Sequence, residues 1–62
     1  MKNKYQVQPG DKVHIFDMDG EPHYAGREGI VRTIDDAKGI HGTWGGLALF
    51  FSDDWVIIEE NK

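Results

Sequence analysis

The stretch Gln8-Pro9-Gly10-Asp11-Lys12-Val13-His14-Ile15-Phe16 decides the fold. Pro9 and Gly10 form a turn, because proline presets its own φ and glycine takes conformations that other residues resist. Lys12 to Phe16 then alternate polar and apolar, the period of two that marks a half-buried strand. Working outward, Asp17 to Gly26 holds two Asp, two Gly, one Glu and one Pro, a composition that predicts a long loop. Glu28-Gly29-Ile30-Val31-Arg32-Thr33-Ile34 is rich in β-branched residues and predicts a second strand. Asp35-Asp36-Ala37-Lys38-Gly39 predicts a hairpin turn, and Ile40 to Trp44 a third strand. Gly45-Gly46 predicts a tight connection, Leu47 to Phe51 a fourth strand, and Trp55 to Ile58 a fifth after the turn Ser52-Asp53-Asp54.

This order of five short strands, one early long loop and then tight hairpins predicts an all-β fold, an SH3-like five-stranded small barrel. Eight glycines serve its sharp bends. No window shows apolar residues at helical spacing. The 62 residues form a single domain, 1–62, with an ordered core of about 8–59, and the two ends, Lys2 to Gln6 and Glu59 to Lys62, are expected to fray. Hydrophobic residues make up 39% of the chain, enough for one core and too much for a disordered tail. With no cysteine, neither disulfides nor thiolate-bound zinc can brace a domain this small, so the core must hold it.

No apolar run is long enough to cross a bilayer as a helix, and Met1 to Tyr5 leads into no signal-peptide core, so a cytoplasmic protein without membrane contact is expected. The excess of 11 acidic over 7 basic residues gives a net charge of −4 and disfavours general nucleic-acid binding, which rests on neutralising phosphates. A local basic face drawn from Lys2, Lys4, Lys12, Arg27, Arg32 and Lys38 stays compatible with that balance.

The quoted segments also carry a resemblance. Pro9-Gly10-Asp11-Lys12-Val13, Met18-Asp19, Gly26-Arg27-Glu28-Gly29-Ile30-Val31, Ile34-Asp35-Asp36, Gly39-Ile40-His41, Trp44 and Leu47-Ala48-Leu49 together resemble the bacterial and phage family catalogued as domain of unknown function 4314. The likeness spans about residues 9 to 58. It implies an SH3-like barrel akin to KOW-type domains and a phage or mobile-element origin, and no activity is assigned to that family. The chain departs from it at Gly45-Gly46, shorter than the family's turn after the Trp, and at Phe51-Ser52, where the family has Pro-Gly.

Two motifs invite enzyme and metal readings. His14 to Gly20 matches the Asp-x-Asp-Gly nucleophile motif of haloacid-dehalogenase-type phosphatases, in which the first Asp attacks phosphorus beside magnesium. That chemistry needs a closed pocket built on a parallel α/β sheet, whose crossovers take a dozen or more residues each. A strand running into an Asx turn explains the same letters. As a calcium loop with Gly20 at the sixth position, the stretch places Ile15 first and Gly26 twelfth, and neither offers a carboxylate. A weaker cation site on Asp17, Asp19 and Glu21 is the residual metal option. His14, His23 and His41 lack ligand spacing, and the pairs Asp35-Asp36 and Asp53-Asp54 suit turns. No catalytic residue, metal or cofactor is expected.

The rings are the better lead. Phe50 and Phe51 are adjacent and must point to opposite sides of a strand, and Trp44 and Trp55 compete for one small interior. One or two of Tyr24, Trp44, Phe50 and Trp55 are therefore expected to stay partly exposed near the long loop. Asp17, Asp19, Glu21, Tyr24, Trp44 and Trp55 are the candidate contact surface of a non-catalytic protein- or peptide-binding module, suited to an extended, basic or proline-containing segment. The alternative is a KOW-like RNA or ribosome contact through Lys12, Arg27, Arg32 and Lys38 with a ring stacked on a base. Charge and size also suit an acidic phage inhibitor of a host nucleic-acid enzyme. Free strand edges leave both a monomer and a weak homodimer open.

Overall fold

Period-two burial organises the chain into an antiparallel sheet. The computed structural model describes residues 3–61, and the expectations for Lys2 and Lys62 lie outside them. β1 (Lys12–Asp17), β2 (Glu28–Ile34), β3 (Ile40–Gly42) and β4 (Asp54–Glu59) form one four-stranded sheet in the order β3-β2-β1-β4. Val13 and Ile15 of β1, Val31 of β2 and Trp55 and Ile57 of β4 are buried on one face. Register shifts between Lys12 and Val13, between Ile15 and Asp17, and between Val31 and Thr33 bend the sheet around that core. Leu49 adds one antiparallel bridge beyond β3, each of Leu49 and Ile40 donating its N–H to the other's C=O at 2.8 Å.

One expected strand is shortened and another is reduced to a single bridge. β3 ends at Gly42 rather than Trp44, and Leu47 to Phe51 makes only the bridge at Leu49 instead of a strand. The cause is Trp44, which is 3% exposed and leaves the ladder to enter the core. Its ring lies where a side chain on Gly29 or Gly42 would stand: a Cβ on Gly42 would collide with Trp44 Cζ3 and with the Ile30 carbonyl oxygen. Thr43 closes the strand, its Oγ1 accepting from Ile30 N–H (2.9 Å) and its own N–H donating to Ile30 C=O (3.1 Å). The expected tight Gly45-Gly46 link is thus part of a loop over residues 43–48 folded around Trp44.

Among the described residues, the segments expected to fray make defined contacts. Lys4–Gln6 form a 3-10 turn closed by a capping box on Asn3. Lys4 Nζ donates to Asp53 C=O at 2.7 Å and lies 5.1 Å from the centroid of the Trp55 ring. Val7 is buried in the core. Asp11, fully buried, takes Gln8 N–H on Oδ2 (2.9 Å) and Asn61 N–H on Oδ1 (2.6 Å), and Asn61 Nδ2 donates to Pro9 C=O at 3.0 Å. The N-terminal segment therefore runs alongside β4, clasped at both ends. Glu59 belongs to β4.

The β2–β3 turn matches the sequence reading. Asp35 Oδ1 accepts from Ala37 N–H (2.9 Å) and Gly39 N–H (2.8 Å), and Oδ2 lies 2.8 Å from His41 Nε2. The His41 hydrogen bond first, then the Gly39 N–H, hold the Asp35 carboxyl below its ordinary value of 3.8. A carboxyl depressed in the folded state adds stability above its unfolded value and loses it as pH falls through the folded one. Asp35→Asn is expected to lower the denaturation midpoint at neutral pH, and its deficit relative to the parent to shrink below about pH 4, as urea titrations across pH will register. Gly42→Ala is expected to cost about 1–3 kcal/mol in chemical denaturation, because neither the Ile30 carbonyl nor the Trp44 ring can give way.

Candidate functional site

The long loop Asp17 to Gly26 is not structureless. Glu21 N–H donates to Met18 C=O (2.9 Å), closing a turn over Asp19-Gly20 in which Gly20 takes φ +76°, and Pro22–Tyr24 form a 3-10 turn. Met18 is buried as the loop's apolar anchor. Asp53, 6% exposed, fixes the loop against the other wall: Oδ1 accepts from Asp19 N–H (3.0 Å) and Oδ2 from Phe50 N–H (2.9 Å). Backbone amides thus satisfy a buried carboxylate that contacts two segments 34 and 3 residues away.

Between these walls lies an open cleft of about 330 Å³, lined by Met18, Asp19 and Glu21 on the loop side and by Leu47, Ala48, Phe50, Ser52 and Asp53 on the other. Leu47 and Phe50 are 40% and 43% exposed. The cleft brings the apolar side chains of Met18, Leu47 and Phe50 together with the acidic residues Asp19 and Glu21.

The proposed contact residues separate here. Asp19 and Glu21 line the cleft, whereas Asp17 ends β1, exposed and opposite Asp54 in register. Tyr24, Trp44 and Trp55 are core residues, at most 7% exposed, and of the four rings considered for exposure only Phe50 is open to solvent. Their polar atoms explain the burial. Trp44 Nε1–H donates to Leu47 C=O (3.0 Å) and Trp55 Nε1–H to Phe50 C=O (2.9 Å), so each indole enters the core with its donor satisfied. Tyr24 fills the space over Gly45.

Of the basic candidates, Lys12 lies 3.8 Å from Glu28 and 3.9 Å from Glu59. Arg27 stacks 4.2 Å from the Tyr24 ring centroid and donates from Nη1 to Trp44 C=O at 2.8 Å. Arg32 is exposed on β2 and Lys38 at the hairpin turn. Lys12 and Arg27 are thus committed to carboxylates and to fixing Tyr24 and Trp44. Among the described residues no three His, Cys, Asp or Glu side chains come together as a cation would require, and no helix is long and apolar enough to cross a membrane.

Sequence reasoning missed Met18, Leu47, Ala48, Ser52 and Asp53. The Phe50-Phe51 pair was the one available signal for this wall: Phe51 turns inward to Trp55 (6.1 Å between centroids) while Phe50 faces the cleft. No protein-family profile matches this chain, and neither curated proteins nor solved structures give a significant match.

Asp53→Asn keeps the shape but turns an amide N–H toward a backbone donor. It is expected to cost about 1–3 kcal/mol in stability. Hydrogen exchange measured by NMR should accelerate at the Asp19 and Phe50 amides first.

Proposed function

We propose that this chain is a non-catalytic protein- or peptide-binding module built on an SH3-like five-stranded barrel plan, and that the cleft between the long loop and residues 47–53 receives an extended basic segment. The antiparallel order, the Leu49 bridge that supplies a rudimentary fifth strand and the covering of β4 by the N-terminal segment support the barrel plan. So does the resemblance to the domain of unknown function 4314 family.

The observation that carries the binding reading is the meeting of exposed Leu47 and Phe50 with Asp19 and Glu21 in one cleft. Apolar side chains supply affinity when covered, and carboxylates beside them favour cationic partners and speed their encounter. Three groups that would suggest catalysis are otherwise engaged, while His23 lies 3.6 Å from Glu21. Asp53 is spent on backbone amides, and His14 and His41 pair with Glu28 and Asp35 away from the cleft.

Selection from a phage-displayed random dodecapeptide library should return sequences enriched in Lys and Arg around an apolar residue. By calorimetry, Phe50→Ala is expected to weaken the selected peptide about tenfold or more. Asp19→Asn and Glu21→Gln should each weaken it a few-fold, with a smaller effect as salt rises. Peptides that are acidic, or that bind Phe50→Ala unchanged, overturn this assignment.

A further inference from the structure

We infer that the segment in the cleft binds as a β-strand, added to the sheet through the main chain of Ala48. This rests on the peptide-binding reading and specifies its mode. Leu49 spends both its N–H and its C=O on Ile40. In an extended segment alternate residues present their main-chain groups to opposite sides, so those of Ala48 and Phe50 face away from β3. Phe50 is spoken for on that side, its N–H by Asp53 Oδ2 and its C=O by Trp55 Nε1–H. Ala48 is different: neither its N–H nor its C=O has a hydrogen-bond partner among the described residues, and it lines the cleft.

The sheet therefore ends, on the cleft side, in one open donor–acceptor pair. It is flanked by the exposed side chains of Leu47 and Phe50 and faces the carboxylates of Asp19 and Glu21 across the cleft. Strand addition takes its affinity from such main-chain pairs and its selectivity from flanking side chains. Charge sets the occupant: an extended partner segment carrying Lys or Arg toward the loop wall. Recognition of a polyproline helix depends instead on a groove of exposed rings, and here Tyr24, Trp44 and Trp55 are buried, with both indole N–H groups already bonded.

The test uses the dodecapeptide selected against the full chain. Each peptide amide is N-methylated in turn, and affinity is measured by calorimetry. Hydrogen exchange at the Ala48 amide is followed with and without saturating peptide. One methylated position is expected to lose about tenfold in affinity, as removal of a main-chain donor predicts. The Ala48 amide should slow at least tenfold on binding. Tolerance of methylation at every position, or an Ala48 amide that exchanges as fast in the complex, overturns strand addition while leaving the cleft as the peptide site if Phe50→Ala still weakens binding. Failure to select any peptide sensitive to Phe50→Ala overturns the cleft itself, and strand addition with it.

Discussion

The carboxylate of Asp53 holds the cleft between the long loop and residues 47–53 in shape. It sits almost out of water between two backbone N–H groups, those of Asp19 and Phe50, while its own C=O receives the Lys4 ammonium. Three parts of the chain far apart in sequence meet at one residue. A buried carboxylate is tolerable only when charge-assisted hydrogen bonds replace its lost hydration, and here they come from main chain, which has few alternative positions. The long loop, rich in residues that ordinarily confer mobility, is thereby tied to the sheet, and the cleft has two defined walls.

Asp11 applies the same device at the opposite end of β1, joining the Pro9-Gly10 turn to Asn61. These two junctions explain how a chain without disulfides orders its terminal segments. The hydrophobic term is concentrated in a few large residues. Trp44 and Trp55 each bury on the order of 200 Å², equivalent to about 5 kcal/mol of transfer free energy. Gly29 and Gly42 make room for the first of these rings, and Arg27 holds the Tyr24 ring and the Trp44 carbonyl on its outer side. Packing Trp44 costs the sheet the regular hairpin expected between its third and fourth strands. On the side turned away from β3, Ala48 is left without main-chain partners among the described residues.

Several elements were legible from residue order. The alternation in Lys12–Phe16 and the β-branched run Glu28–Ile34 mark strands because one face of each must be apolar, and the structure has strands at Lys12–Asp17 and Glu28–Ile34. The Asp35–Gly39 turn was legible because an Asp side chain bonding N–H groups two and four residues on is a local event. The candidate site was legible only in part. The acids of the loop tip were visible as a cluster, but Tyr24, Trp44 and Trp55, which looked like surplus rings, have satisfied polar atoms and lie inside. Asp53 read as one of a pair of turn acids, and nothing beside it in the chain announces its bond to Asp19, 34 residues earlier.

Period, turn chemistry and charge, all properties of neighbouring residues, were enough to determine an all-β domain with an acidic early loop. Tertiary structure alone decided which rings are buried, where the ladder breaks and which residues face each other across the cleft. Those outcomes depend on competition for one small interior and on hydrogen bonds between distant segments. Neither leaves a periodic trace in the order of the amino acids.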